Sequence, residues 1–210
     1  MFVDWLAARW AGLFTGERAR DCWHLLMTCY DENGRFYHNL DHLAQVLATI
    51  DWLRDVAVDV TAVELAAWFH DAVYNPRRQD NEAASAALAG EWLSALAVPQ
   101  PRVERVQQLI LATRHGQTAV SVDPDVAVLL DADLAVLAAD PEQYDHYAQA
   151  IRREYAFVDE TVYRNGRVHI LQHFLQRDHI YYTPPMQPKE PLARANIKRE
   201  IERLSDRVKR

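Results

Sequence analysis

The sequence predicts an all-α fold in a single domain, and three observations carry that prediction. Apolar residues recur at three- and four-residue spacing in nearly every segment, while the alternation of a half-buried strand is scarce. Helix-stopping pairs and proline clusters, at Thr15-Gly16, Asn33-Gly34, Val98-Pro99-Gln100-Pro101 and 183–191, punctuate the chain at helix-length intervals. Half of the 210 residues are apolar and a quarter charged, and 6 Trp and 9 Tyr supply large core anchors.

Taken in order, Phe2, Leu6, Trp10 and Leu13 make the stripe of a first helix. A second spans 17–32, with Cys22, Leu25, Leu26, Cys29 and Tyr30 inward. The third begins near Asn39 and runs through Leu43, Val46, Leu47, Ile50 and Leu53. The fourth, with Thr61 as N-cap, is apolar on most sides and carries Trp68-Phe69-His70-Asp71 at its end. An irregular stretch, 73–79, leads to Asp80, expected to cap an Ala-rich fifth helix that reaches Leu96. A sixth, 102–114, stops at His115-Gly116. Beyond a polar loop, a buried seventh helix covers 126–137 and holds Asp131 and Asp133 among apolar neighbours. An eighth runs from Pro141 to Phe157, and 160–178 is helical with an interruption expected at Asn165-Gly166. Four prolines between Thr183 and Pro191 predict an extended surface arm, and a charged last helix covers 191–209. The core of the domain is placed at about 17–157 and a C-terminal extension at 158–210.

A net charge of −7 leaves no basic surplus for general binding of nucleic acid or anionic membrane. Cys22 and Cys29 are seven apart on one helix, roughly 10 Å by helical rise and too far to bridge. They read as reduced core residues of a cytoplasmic protein. No apolar run approaches the roughly 20 residues of a membrane span. The opening residues, Met1 to Trp5, lack a basic stretch and a cleavage pattern, so no signal peptide is expected.

The chemistry gathers around His70-Asp71. Chance alone supplies about one His-Asp dipeptide in a chain with 9 His and 18 Asp, so the pair means little until other ligands converge on it. His38 and His42 share a face at the start of the third helix, His70 comes 28 residues after His42, and Asp133 follows 62 residues after Asp71. Ionisable groups placed among apolar neighbours cost several kcal/mol unless paired, hydrogen-bonded or bound to metal. The plainer reading of His42, His70, Asp71 and Asp133 is a buried, hydrogen-bonded polar cluster. The sharper one is a ligand set for a divalent ion such as Mn, Fe, Co, Zn or Mg. Four protein ligands leave a six-coordinate ion two positions for water and substrate oxygen, the arrangement a hydrolase needs.

A His … His-Asp … Asp pattern on an all-α domain resembles the HD-domain superfamily of metal-dependent phosphohydrolases. The element Tyr37-His38-Asn39-Leu40-Asp41-His42 is similar to a motif of cyclic nucleotide phosphodiesterases, where the first His protonates the leaving oxygen and the second binds metal. Ala132-Asp133-Leu134 matches the end of that family's metal motif, which favours Asp133 over Asp131. Those enzymes carry a further His shortly after the His-Asp pair; here Ala72-Val73-Tyr74-Asn75 stands instead, and a cyclic nucleotide is not implied. Almost the whole chain more closely resembles a bacterial group labelled predicted metal-dependent HD phosphohydrolases, through YHNLDH (37–42), FHDAVYN (69–75), DNEAASA (80–86), LLDADLAVL (129–137) and YRNGR (163–167).

The resemblance implies a phosphohydrolase for a small phosphomonoester or nucleotide, with a metal-activated water as nucleophile and His38 as general acid. Asp71 would touch both metal and water. Glu82 would orient that water, against a plainer reading as a helix-dipole partner. Asp131 is expected to hold a ligand histidine in its tautomer. Arg77, Arg78, Arg164 and Arg167 are candidates for phosphate contact, and His115 for contact with substrate. Two alternatives stand beside this: a di-iron oxygenase, which the single intervening His115 disfavours, and a metal-stabilised binding or regulatory module without turnover. The charged last helix and the Pro-rich arm offer surface for a partner or a second copy of the chain, so a homodimer is among the expectations.

Overall fold

The structure, a computed structural model, describes residues 2–114 and 123–206. These form ten α-helices and no strand: α1 (Phe2–Leu13), α2 (Glu17–Tyr30), α3 (Leu40–Leu53), α4 (Val60–Phe69), α5 (Asn81–Ala95), α6 (Gln100–Ala112), α7 (Pro124–Asp133), α8 (Pro141–Glu154), α9 (Glu160–Gln176) and α10 (Glu190–Asp206). No described helix is long and apolar enough to cross a membrane.

Helix α4 is the centre of the bundle. Ala62, Val63, Leu65, Ala66, Ala67, Trp68 and Phe69 are all buried, packed among α3, α5, α6 and α7. A helix covered on every side has no room for a polar face, which explains its apolar composition. Its N-cap is Asp59 and not Thr61: the Asp59 carboxylate accepts from Ala62 N at 3.0 Å and also from Arg102 Nε at 3.0 Å. A carboxylate satisfies the free amide and the positive helix end together.

The ends of two helices are cut short by side chains that take their carbonyls. Helix α4 stops at Phe69, with His70 as C-cap and Asp71 in the turn, so the His-Asp pair sits just past the helix. Arg35 Nη1 donates to Asp71 O (2.5 Å) and its Nη2 to Ala72 O (3.0 Å), oxygens that a continued helix would need for its own ladder. Likewise the seventh helix ends at Asp133 rather than Leu137, and Leu134–Ala138 tightens to a 3₁₀ turn. There Tyr181 Oη donates to Leu134 O (3.0 Å), and Asn196 Nδ2 to Leu137 O (3.0 Å) and Ala139 O (2.8 Å).

Three local expectations are corrected. Asp80 occupies the N-cap of α5, but its carboxylate is taken by Arg78 (both contacts 2.8 Å) and makes no capping bond. Helix α9 runs straight through Asn165-Gly166. One glycine costs about 1 kcal/mol in a helix, and burial of Tyr163, Arg167, Leu171 and Phe174 at helical spacing outweighs it. The Pro-rich arm is not extended. Met186 N and Gln187 N both donate to Thr183 O (3.0 and 3.1 Å), and a 3₁₀ turn at Gln187–Lys189 leads directly into α10. Ile180, Tyr181, Thr183 and Met186 anchor it in the core.

Helices α8, α9 and α10 are joined by a buried ion pair. Arg167 Nε and Nη2 donate to Glu200 at 2.8 and 3.1 Å, and Tyr144 Oη donates to the same carboxylate at 2.6 Å. Removing one partner of a buried pair strands the other charge. Arg167→Ala is therefore expected to destabilise the fold by about 3–5 kcal/mol. Adding Glu200→Gln, whose amide oxygen still accepts from Tyr144, should recover part of that loss; urea unfolding of the two variants measures it.

Candidate metal centre

Four side chains from three separate elements meet at one point. His42 is on the first turn of α3, where the Asn39 side chain accepts from Asp41 N (3.0 Å) and His42 N (3.3 Å) and so fixes the start of the helix. His70 and Asp71 follow the end of α4, and Asp133 closes α7. One ligand atom from each lies within 4.8 Å of all the others. His42 Nε2 is 3.2 Å from Asp133 Oδ1, 3.3 Å from His70 Nε2 and 3.6 Å from Asp71 Oδ2. His70 Nε2 is 3.1 Å from Asp71 Oδ2 and 3.6 Å from Asp133 Oδ1.

These residues can hold a metal ion. Donors about 2.1 Å from an ion and at right angles to one another stand roughly 3 Å apart, close to the spacings seen here. The tautomer also fits. His70 Nδ1 is 2.8 Å from the Ala67 carbonyl, an acceptor only, so Nδ1 carries the proton and Nε2 offers its lone pair to the cluster. Both imidazoles are buried, while Asp71 and Asp133 keep a little exposure toward solvent, 18% and 13% of their side chains.

The electrostatics show why the four belong together. Burial alone would lower His70, yet the Asp71 charge and bonds to Asp133 and Asp71 lift it well above its ordinary value. His42 is raised in the same way by Asp133 and Asp71 against burial. Burial would raise both carboxyls, and the two histidines instead hold Asp71 and Asp133 well below the carboxylate range. Each pair offsets the desolvation of the other.

His38 stands beside this cluster, its ring centroid 5.8 Å from that of His42. It is held by Glu154, a residue that the sequence reading did not single out. One oxygen of Glu154 accepts from the backbone amides of Phe36 (2.9 Å), Tyr37 (2.7 Å) and His38 (3.0 Å). The other lies 2.7 Å from His38 Nδ1 and accepts from Tyr74 Oη at 2.9 Å. Tyr74 also stacks on the His38 ring, centroids 4.0 Å apart. Burial would raise Glu154, but the bond and charge of His38 and the backbone amides bring it down to about 2. Arg35 completes the frame by joining the 35–38 segment to the carbonyls after His70; its guanidinium also lies over the rings of Tyr30 and Tyr74. No short spacing reveals Glu154 or Arg35: they reach the site across 116 and 36 residues of sequence.

The remaining candidates are outside the four-residue cluster. Asp131 is fully buried but bonds no ligand histidine; it accepts from Tyr182 N (2.9 Å), Thr183 N (2.7 Å) and Thr183 Oγ1 (2.6 Å), tying the arm to α7. Burial pushes its carboxyl up to about 6. Glu82 is half-buried on the first turn of α5 and lies outside the four-residue cluster. Arg78 is committed to Asp80, Arg164 to Glu160 and Arg167 to Glu200. Arg77 lies over the Phe157 ring, 3.7 Å from its centroid. His115 lies outside the described residues. A hollow of about 260 Å³ between α1 and α2, walled by Trp10, Phe14 and Trp23, contains none of the four ligands. Convergent ionisable groups mark the site better than an apolar hollow does.

Comparison of the chain with protein-family models, curated proteins and solved structures returns no match. The functional reading therefore rests on the four ligand atoms and the frame around them.

Two outcomes follow. Wild-type protein incubated with a divalent ion is expected to retain it through gel filtration, and Asp133→Ala and His70→Ala are each expected to lose it, read by elemental analysis. Glu154 has a folded value near 2, below an unfolded value of about 4.3. Its stabilising contribution is therefore complete above that unfolded value and lost as pH falls toward 2. Glu154→Gln should cost on the order of 3 kcal/mol at pH 7. The gap from wild type should narrow below about pH 4 in urea unfolding, and a pH-independent gap would contradict the assignment.

Proposed function

We propose that this protein is a metal-dependent phosphohydrolase of the HD type, acting on a small phosphomonoester or nucleotide. The observation that carries this reading is the meeting of two imidazole nitrogens and two carboxylates within 4.8 Å, beside a carboxylate-held histidine. His42, His70, Asp71 and Asp133 would hold a divalent ion, which when bound would supply Lewis acidity toward a phosphoryl oxygen and a water.

The chain's own residues account for the proton. With Glu154 accepting from Nδ1, the reactive nitrogen of His38 is Nε2. Protonated there, His38 donates to the departing alkoxide oxygen, and the ionised Glu154 stabilises the imidazolium until the proton leaves. Tyr74 fixes the plane of the ring by stacking on it, and the bonds from the Tyr37 and His38 amides to Glu154 fix the backbone that carries it. Asp71, with 18% of its side chain exposed, is the carboxylate best placed to accept a hydrogen bond from the attacking water.

Incubating protein loaded with Mn²⁺ or Co²⁺ with a panel of phosphate esters tests this. Phosphate release that disappears in Asp71→Ala is expected, and no turnover by any loaded form would overturn the reading. His38→Ala should lower kcat by about 10²–10⁴ on alkyl phosphates. The loss should be far smaller on 4-nitrophenyl phosphate, whose leaving group departs without protonation. Iron at two per chain with visible absorbance would instead indicate the di-iron oxygenase.

A further inference from the structure

Arginine in this fold is mostly spoken for. Arg9, Arg35, Arg78, Arg102, Arg105, Arg152, Arg164, Arg167, Arg194, Arg199 and Arg203 each sit within ion-pair distance of a carboxylate. Two that flank the His38 frame do not. The Arg77 guanidinium lies 3.7 Å from the Phe157 ring centroid, and the Arg153 guanidinium 3.8 Å from that of Phe36. Neither has a carboxylate partner among the described residues, and both are exposed, as are the two rings beneath them.

Both pairs connect to the site by short steps. Arg153 adjoins Glu154 in sequence, and Phe36 N donates to the Glu154 carboxylate that holds His38. Phe157 stacks on Tyr155 with centroids 6.0 Å apart, Tyr155 is in hydrogen-bond contact with Tyr74, and Tyr74 stacks on His38. Arg77 itself follows Tyr74 by three residues. The two guanidiniums thus lie one ring of aromatic residues outside the catalytic histidine. A guanidinium over an aromatic face makes no hydrogen bond to the ring's edge atoms, so its N–H groups remain to bond carboxylate or phosphate, in a bidentate manner where two are used. The net charge of −7 makes two unneutralised cations beside an anion-processing site stand out further.

We infer that Arg77 and Arg153 form a receiving rim for a second anionic group on the substrate, separate from the phosphoryl group at the metal centre. The substrate class is then a compound with two anionic groups, such as a bisphosphate or a phosphorylated acid, rather than the monophosphate of a neutral alcohol. This rests on the phosphohydrolase reading of the site, and it is tested by binding, which needs no turnover.

Adenosine 3′,5′-bisphosphate and adenosine 5′-monophosphate differ by one phosphate and serve as the probes, titrated calorimetrically into Mn²⁺-loaded full-length protein at fixed ionic strength. The bisphosphate is expected to bind about tenfold tighter than the monophosphate. That advantage should shrink to near unity in the Arg77→Ala/Arg153→Ala double variant, with monophosphate affinity unchanged. In Arg77→Lys/Arg153→Lys, which keeps the charge and loses the bidentate edge, it should be partly retained. Equal affinity of the two probes for wild type, no binding of either, or an advantage that survives the double alanine variant, overturns the rim. An advantage that vanishes as expected, together with no phosphate release from any ester, supports the rim and removes the hydrolase reading alone.

Discussion

Two imidazoles and two carboxylates sit together in a bundle whose main helix, α4, is apolar on most sides. Taken singly, each would be costly there, because burial disfavours the charged form of all four. Taken together, the carboxylates raise the histidines and the histidines lower the carboxylates, and the desolvation cost is met within the cluster. Much else in the fold serves to keep them together. Asn39 sets the start of α3 so that His42 faces inward, and Arg35 takes the carbonyls past His70 so that Asp71 turns out of the helix. Tyr181 and Asn196 tighten the chain just after Asp133.

Around that centre, Glu154 does a different kind of work. It collects three backbone amides, an imidazole and a phenol on one carboxylate, and all five donors come from the two loops that frame the cluster, 36–38 and the turn bearing Tyr74. A single side chain from α8 thereby decides which nitrogen of His38 faces the ligands. The same segment, 153–157, presents the guanidinium of Arg153 and the ring of Phe157 outward, so that one short stretch of chain holds His38 on its inner face and carries two cation–ring contacts on its outer one.

What was legible in the sequence divides along physical lines. The all-α fold and the grouping of His42, His70, Asp71 and Asp133 are read from periodicity and from ionisable residues set in apolar runs, signals that are local. The choice of Asp133 over Asp131 agrees with the structure: only the former joins the cluster, while the latter tethers the arm at 182–183. Helix ends were misplaced where a distant side chain captures a carbonyl, as Arg35 does after α4 and Tyr181 after α7, because no local pattern encodes such capture. The break expected at Asn165-Gly166 failed for a related reason, since packing of α9 against α10 outweighs a local propensity. Glu154 and Arg35 carry no motif at all. Their partners are set by tertiary approach, and a carboxylate on α8 looks like any other until the loops are folded over it.

The ligands and their supports are also separated in time. His42, His70, Asp71 and Asp133 are all synthesised before residue 134, whereas Glu154, Tyr181, Thr183, Asn196 and Glu200 leave the ribosome later. Every donor of the centre therefore precedes, in the chain, the groups that shape it. The 3₁₀ turn at Leu134–Ala138 is secured by Tyr181 and Asn196, both from the last thirty residues of the sequence. The geometry of the centre thus depends on segments far downstream of the four residues that make it, and the turn that follows Asp133 is held by partners 47 and 59 residues further along the chain.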